Sequence, residues 1–225
     1  MKSQLTFILL ISLIFSCKDE PKAITLDSET TALNIAEKIA NAHGYDNWKT
    51  VSELAFTFNV DRDSSHFERS FIWQPKTKKV TAINQKDSIT YNRKQVDSLS
   101  LRADQAFIND KFWLLPAFQM LWDSGTSITT PRREVAPISQ DSLNKITLTY
   151  SNDGGYTPGD AYDFYYDKNY LLKEWIFRKG NSKKPSMTTA FSEYETIQGI
   201  SFPTKSTKDG DRWSLYFTDI KIKTE

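Results

Sequence analysis

The segment LRADQAFINDKFWLLPAFQMLW, residues 101–122, breaks a chain that otherwise reads as strands. It lacks the period of two that marks a strand and is rich in good helix formers. The pattern predicts one helix from about Leu101 to Leu114 and a second from Pro116, a residue favoured at the first helical position. Phe107, Phe112, Trp113, Phe118, Leu121 and Trp122 make the segment too apolar for a helix standing in water. It must pack against something broad, and the flanking sequence supplies the candidate.

Before the segment, the side chains alternate. In VSELAFTFNV, Leu54, Phe56, Phe58 and Val60 fall on one face, with Glu53, Thr57 and Asn59 on the other. In HFERSFIW, Phe67, Phe71 and Trp73 share a face that Arg69 interrupts, and residues 61–65 between the two runs form a polar hairpin loop. Lys78 to Ile83 and Ser88 to Tyr91 read as two more short strands. Beyond Asp123-Ser124-Gly125, Ile146, Leu148 and Tyr150 alternate with Thr147 and Thr149. AYDFYY, LLKEWIFR, MTTAFSEYETI and RWSLYFTDIKI follow, with turn residues at 167–169, 179–181 and 198–199. Strands and turns at even spacing predict an antiparallel meander in a single domain, residues 28–225. Ahead of the strands, Ala32, Ile35, Ala36, Ile39 and Ala40 recur at helical spacing. Asp27 or Ser28 suits the cap of that helix, and Gly44 suits its left-handed end.

The first 27 residues are of another kind. Lys2 is a short positive region, Leu5 to Phe15 an apolar one, and Ser16 a small residue at a cleavage position, so residues 1–16 read as an export signal. That apolar run is shorter than the roughly 20 residues a membrane-spanning helix needs. Cys17 is the one cysteine in the chain, which excludes an internal disulfide. Ile14-Phe15-Ser16-Cys17 resembles the lipobox of bacterial lipoproteins, in which the cysteine sulfur receives a diacylglyceryl group; Phe15 departs from the usual small or β-branched residue. Lys18-Asp19-Glu20 looks like the tag that directs Bacteroidota lipoproteins to the cell surface. The resemblance implies lipid attachment at Cys17, a tether over residues 17–27, contact with lipoprotein export machinery and an outer-membrane location. An ordinary secretory signal followed by a polar linker is the competing reading.

Composition narrows the function. Lys and Arg number 29 against 28 Asp and Glu, so no excess of positive charge points to nucleic acid. Zinc-protease, phosphate-loop, dinucleotide and Gly-x-Ser-x-Gly motifs are absent from the sequence, and no catalytic residue or cofactor site is assigned. His43, just before Gly44, reads as a decoration of the helix C-terminus, where an imidazolium suits the dipole; His66 reads as exposed. A pair of carboxylates could still perform glycoside chemistry, which leaves no sequence signature. Asp153, Asp160, Asp163 and Asp167 are the densest acids, but they miss the EF-hand spacing, and Asp160 and Asp163 differ in strand parity. They read as a hairpin loop with Asp160 bonded to nearby backbone, and no metal site is assigned.

The order of elements is anchor, helix, four strands, helical insert and antiparallel run. It resembles the outer-membrane lipoprotein-sorting (LolA/LolB-like) fold, a mainly β (α+β), open antiparallel half-barrel covered by helices. Ala42-His43-Gly44 with Trp48, Tyr156 to Asp160 with Tyr162, and Glu174-Trp175 are similar to a lipoprotein family of Bacteroidota related to that fold. The resemblance implies a hydrophobic cavity for a lipid or lipoprotein acyl chain. Phe56, Phe58, Trp73, Trp113, Phe118 and Trp122 are the expected lining. The same aromatics could instead interdigitate as plain core, leaving a surface module that binds protein or glycan and holds no internal ligand.

Overall fold

Strict alternation is clearest in Val51–Arg62, and that segment is the strand on which the sheet is built. It forms β1, followed by β2 (Ser65–Gln74), β3 (Lys79–Ile83) and β4 (Ser88–Asn92). After the helical insert come β5 (Thr126–Ile128), β6 (Arg132–Val135), β7 (Ser142–Tyr150), β8 (Ala161–Tyr166) and β9 (Leu172–Arg178). β10 (Met187–Ile197), β11 (Ile200–Thr207) and β12 (Trp213–Thr224) complete the set. This computed structural model describes residues 26–153 and 155–225, with side chains from Thr31 onward. The export signal, Cys17, the Lys18-Asp19-Glu20 tag and most of the tether lie outside the described residues.

All strands join one antiparallel sheet in the order β4-β3-β2-β1-β12-β11-β10-β9-β8-β7-β5, with β6 also on β7. Sequence neighbours pair through short connections, and β1 pairs with β12 to bring the two ends of the strand series together. β4 and β5 do not pair, so the sheet is open.

Four helices accompany it: α1 (Leu26–Ala42), α2 (Tyr45–Trp48), α3 (Leu101–Leu114) and α4 (Pro116–Trp122). The insert therefore folds with the expected boundaries. Phe107 of α3 lies against Phe71 and Trp73 of β2, at ring separations of 5.5 and 5.4 Å. Phe112, on the same helix, lies against Tyr162 of β8 and Trp175 of β9, at 4.5 and 5.6 Å. β2 and β8 are six strand spacings apart, about 29 Å on a flat sheet, whereas residues 107 and 112 are only about 8 Å apart along the helix axis. The sheet must curl around α3, as a half-barrel does, and α1, α3 and α4 cover part of its inner face. On α1, Ala32, Ala36, Ile39 and Ala40 are buried as the spacing predicts. Gly44 has φ 84°, and a Cβ there would stand 2.0 Å from the Gly199 carbonyl oxygen, so this contact between α1 and the β10–β11 turn requires glycine.

Several expectations need correction. Arg69 interrupts the apolar face of β2 because it ties the sheet to the insert. Its Nε and Nη2 each donate to the fully buried Asp110 carboxylate of α3 at 2.6 Å. Phe67 does not join Phe71 and Trp73 inside; it lies half exposed near the hairpin tip, under the Arg69 guanidinium. β5, β6 and β11 carry no clear alternation in the sequence. In β11, Pro203 can sit in a strand because its partner Tyr194 lies at a register shift of β10. Asp160 accepts from the Gly180 N–H at 2.7 Å, across the β8–β9 hairpin and far from its own loop.

Candidate functional site

The stripe Gln105, Ile108, Asn109 and Phe112, spaced as one face of α3, stands over the inner face of β7, β8 and β9 without touching all of it. The space left is a cleft of about 960 Å3, at the upper end of the range for ligand pockets, about 300–1,000 Å3. Strand parity aims Tyr162 of β8, and Trp175 and Phe177 of β9, into it. Tyr162 is the hub of this floor: its ring centre is 4.5 Å from Phe112, 5.1 Å from Phe177 and 5.4 Å from Trp175.

The mouth is polar. Asp104, buried on α3, accepts from Arg93 Nε at 2.7 Å and from the Tyr156 hydroxyl at 2.8 Å. Tyr156 lies on the loop after β7, so this bond links that loop to the helix. The Tyr150 hydroxyl donates to Asp123 at 2.5 Å. Burial, reinforced by Asp123, raises the Tyr150 pKa and keeps this hydroxyl a donor. Deep in the floor the Trp175 indole N–H is buried without an acceptor among the described residues. The cleft thus has an aromatic interior and a hydrogen-bonding rim, the polarity pattern of an amphiphile.

A second cleft of about 400 Å3 adjoins it, and Arg93, Trp122 and Asp123 line both. Three indoles surround this smaller space: Trp48 is 5.2 Å from Trp73 and 5.0 Å from Trp122, and Trp73 is 6.0 Å from Trp122. Neither histidine lines either cleft. No group of three or more His, Cys, Asp or Glu side chains among the described residues could hold a metal ion.

The six aromatics expected as lining divide. Trp113 and Trp122 line the large cleft, and Trp73 and Trp122 line the small one. Phe56, Phe58 and Phe118 line neither. Phe56 packs on Phe71 and Phe217, Phe58 on Phe217, and Phe118 on Tyr45 and Trp48, as core. Strand parity alone could not separate them, because it says which side chains point inward and not where the helices leave a space beside them. Tyr162, Trp175 and Phe177 lie on strands read correctly from the sequence, yet nothing in their alternation marks them as cleft lining.

His43 departs from its expected role. It is buried, its Nδ1 lies 2.8 Å from the Ile39 carbonyl, and its Nε2 lies 3.5 Å from the Leu172 N–H. Burial pushes its pKa down to about 4 from 6.5, so the ring is neutral and serves as a junction between α1 and β9. The unfolded chain takes up this proton near pH 6.5 and the folded one only near pH 4. Stability therefore falls as pH drops through that window and levels off below it. The expected loss from His43 is about 1.4 kcal/mol between pH 7.5 and 5.5. Urea denaturation at the two pH values checks it, with His43→Gln expected to show a correspondingly flatter dependence.

No family model and no curated protein matches the chain. Among solved structures, a domain assigned to outer membrane lipoprotein sorting from Vibrio parahaemolyticus matches 87% of this chain and 94% of its own. Its identity to this chain is 12% and the TM-score is 0.50. A DUF1329 family protein from Desulfovibrio piger matches 85% of this chain and 93% of its own at 10% identity, with a TM-score of 0.48. Lipoprotein LppX from Mycobacterium tuberculosis matches 86% and 99% at 10% identity, with a TM-score of 0.29. The chain has the fold of the lipoprotein-sorting domain, and at this identity the likeness is one of fold.

Proposed function

We propose that this protein is anchored to the outer membrane through lipid on Cys17 and holds an acyl chain, of a lipid or of a lipoprotein, between α3 and strands β7–β9. The observation that carries the reading is the unfilled aromatic cleft of about 960 Å3 with a polar mouth. A core would close such a space, because buried apolar surface contributes about 25 cal/mol per Å2. The lipoprotein-sorting domain that shares the fold supports the choice of ligand class, although fold alone does not carry function.

Titration with dodecanoate, read by tryptophan emission, tests the ligand. Trp113, Trp122 and Trp175 line the cleft, so binding should shift emission to the blue at micromolar ligand. A response to oligosaccharides with none to dodecanoate would favour the surface interaction module instead. The anchor has its own test: Cys17→Ser should move the protein from the membrane fraction to the soluble one. A variant that stays with the membrane contradicts lipid attachment at Cys17.

A further inference from the structure

The small cleft differs from the large one in charge. Lys49, Lys76, Lys78, Arg93 and Lys111 line it, against a single acid, Asp123. Lys76 is paired with Glu225 and Arg93 with Asp104. Lys49 and Lys78 are exposed and form no ion pair among the described residues.

Lys111 is unlike the others, because it is buried to 6% exposure on α3. Its Nζ donates to Gln119 Oε1 at 2.9 Å, and Gln119 is held in that orientation by its own bond to the Leu115 carbonyl at 3.0 Å. The ammonium also lies 5.2 Å from the centre of the Trp122 ring and 6.0 Å from that of Trp73. A neutral amide and two aromatic faces do not neutralise a buried cation, which normally takes an anionic partner. Asp123 and Asp104 act on the ammonium from a distance, but neither forms an ion pair with it among the described residues: one Asp123 oxygen is taken by Tyr150, and Asp104 is taken by Arg93 and Tyr156. Burial lowers the Lys111 pKa to about 8, which leaves the amine mainly cationic at neutral pH. Two of its three N–H donors have no acceptor among the described residues. The indole N–H of Trp73, which lines the same cleft, is also buried without an acceptor.

We infer that the small cleft binds the anionic head of an acyl amphiphile, a carboxylate or phosphate, with Lys111 as its anchor and the chain running past Trp122 into the large cleft. The shared wall of Arg93, Trp122 and Asp123 makes the two spaces neighbours, and about 400 Å3 suits a head group without a chain. The inference rests on the acyl-chain reading of the large cleft and adds to it the charge of the ligand.

The test compares dodecanoate and dodecyl phosphate with neutral dodecanol, and with inorganic phosphate, on the full chain and on Lys111→Met. Met keeps most of the apolar stem of lysine and removes the buried charge at the cost of one hydrogen bond to Gln119, so melting temperature should change little. The wild type should bind the two anionic amphiphiles about tenfold or more tighter than dodecanol, the worth of a charge-assisted hydrogen bond. Lys111→Met should erase that difference while leaving dodecanol binding unchanged, and Lys111→Arg should retain part of it. Equal binding of dodecanoate and dodecanol by the wild type would overturn the head-group assignment while the chain reading stood. Binding of inorganic phosphate as tight as that of dodecyl phosphate, and lost in Lys111→Met, would overturn it in favour of a free-anion site. If no amphiphile binds, both readings fall.

Discussion

Arg69→Ala is expected to lower the free energy of unfolding by about 3–5 kcal/mol, the cost of leaving a buried charge without its partner. Arg69 is the only residue of β2 that sends a charge into the inner face, and it meets Asp110 with two hydrogen bonds of 2.6 Å. Asp110 has no exposed surface, and besides Arg69 it accepts from Asn109 at 2.9 Å. Removing the guanidinium leaves a carboxylate that must stay charged in an apolar setting or take up a proton. Chemical denaturation of Arg69→Ala, Asp110→Leu and the double variant separates the terms. The double variant should recover much of the loss, since two apolar groups can replace a buried pair at little cost. If Arg69→Ala loses less than about 1 kcal/mol, as for an exposed pair, the bridge between sheet and insert is not what holds α3 in place.

Ile108→Trp is expected to weaken dodecanoate binding by about tenfold or more, because the added ring occupies space the chain would fill. Ile108 is half-buried on the cleft-facing stripe of α3, between Gln105 and Phe112. Ile108 packs against the edge of the core; the larger ring keeps apolar contact there and adds area over the cleft, so the melting temperature should hold or rise. This pairing of results distinguishes an open cleft from a packed core, where a larger side chain costs about 1–3 kcal/mol. Fluorescence titration and thermal melting on one preparation decide it. A destabilised variant that binds as the wild type does would mean that Ile108 faces packed protein and that the chain lies elsewhere.

The helical insert and most of the sheet were legible because each segment repeats one period over many residues. The run from Phe56 to Val60 and the stripe from Ala32 to Ala40 leave little choice of structure. β5 and β6 are too short to show a period, and β11 is masked by Pro203, which a bulge in its partner strand accommodates. The site was less legible for a different reason. Alternation says which side chains point inward but is silent on which of them a helix then covers. Phe56 and Tyr162 have equal claims in sequence, yet α3 and its neighbours fill the space over the first and leave a cleft over the second. Lys111 was hidden in the same way: within a run of helix formers it looks like a solvent-facing lysine, and only the packing of Trp73 and Trp122 around it shows a buried cation. His43 likewise looked like a helix-end cation until the β9 and β11 backbone closed over it.

If the cleft between α3 and β7–β9 is a ligand site and not an imperfectly filled core, protein taken from its own envelope should carry an amphiphile. Native mass spectrometry of the purified protein detects such a ligand by its mass. One non-covalently bound amphiphile with an acyl chain per protein is expected, at clearly lower occupancy in Ile108→Trp. Wild-type protein that leaves the envelope with an empty cleft, and that still takes up no dodecanoate when it is supplied, would mean that the cleft is not a ligand site.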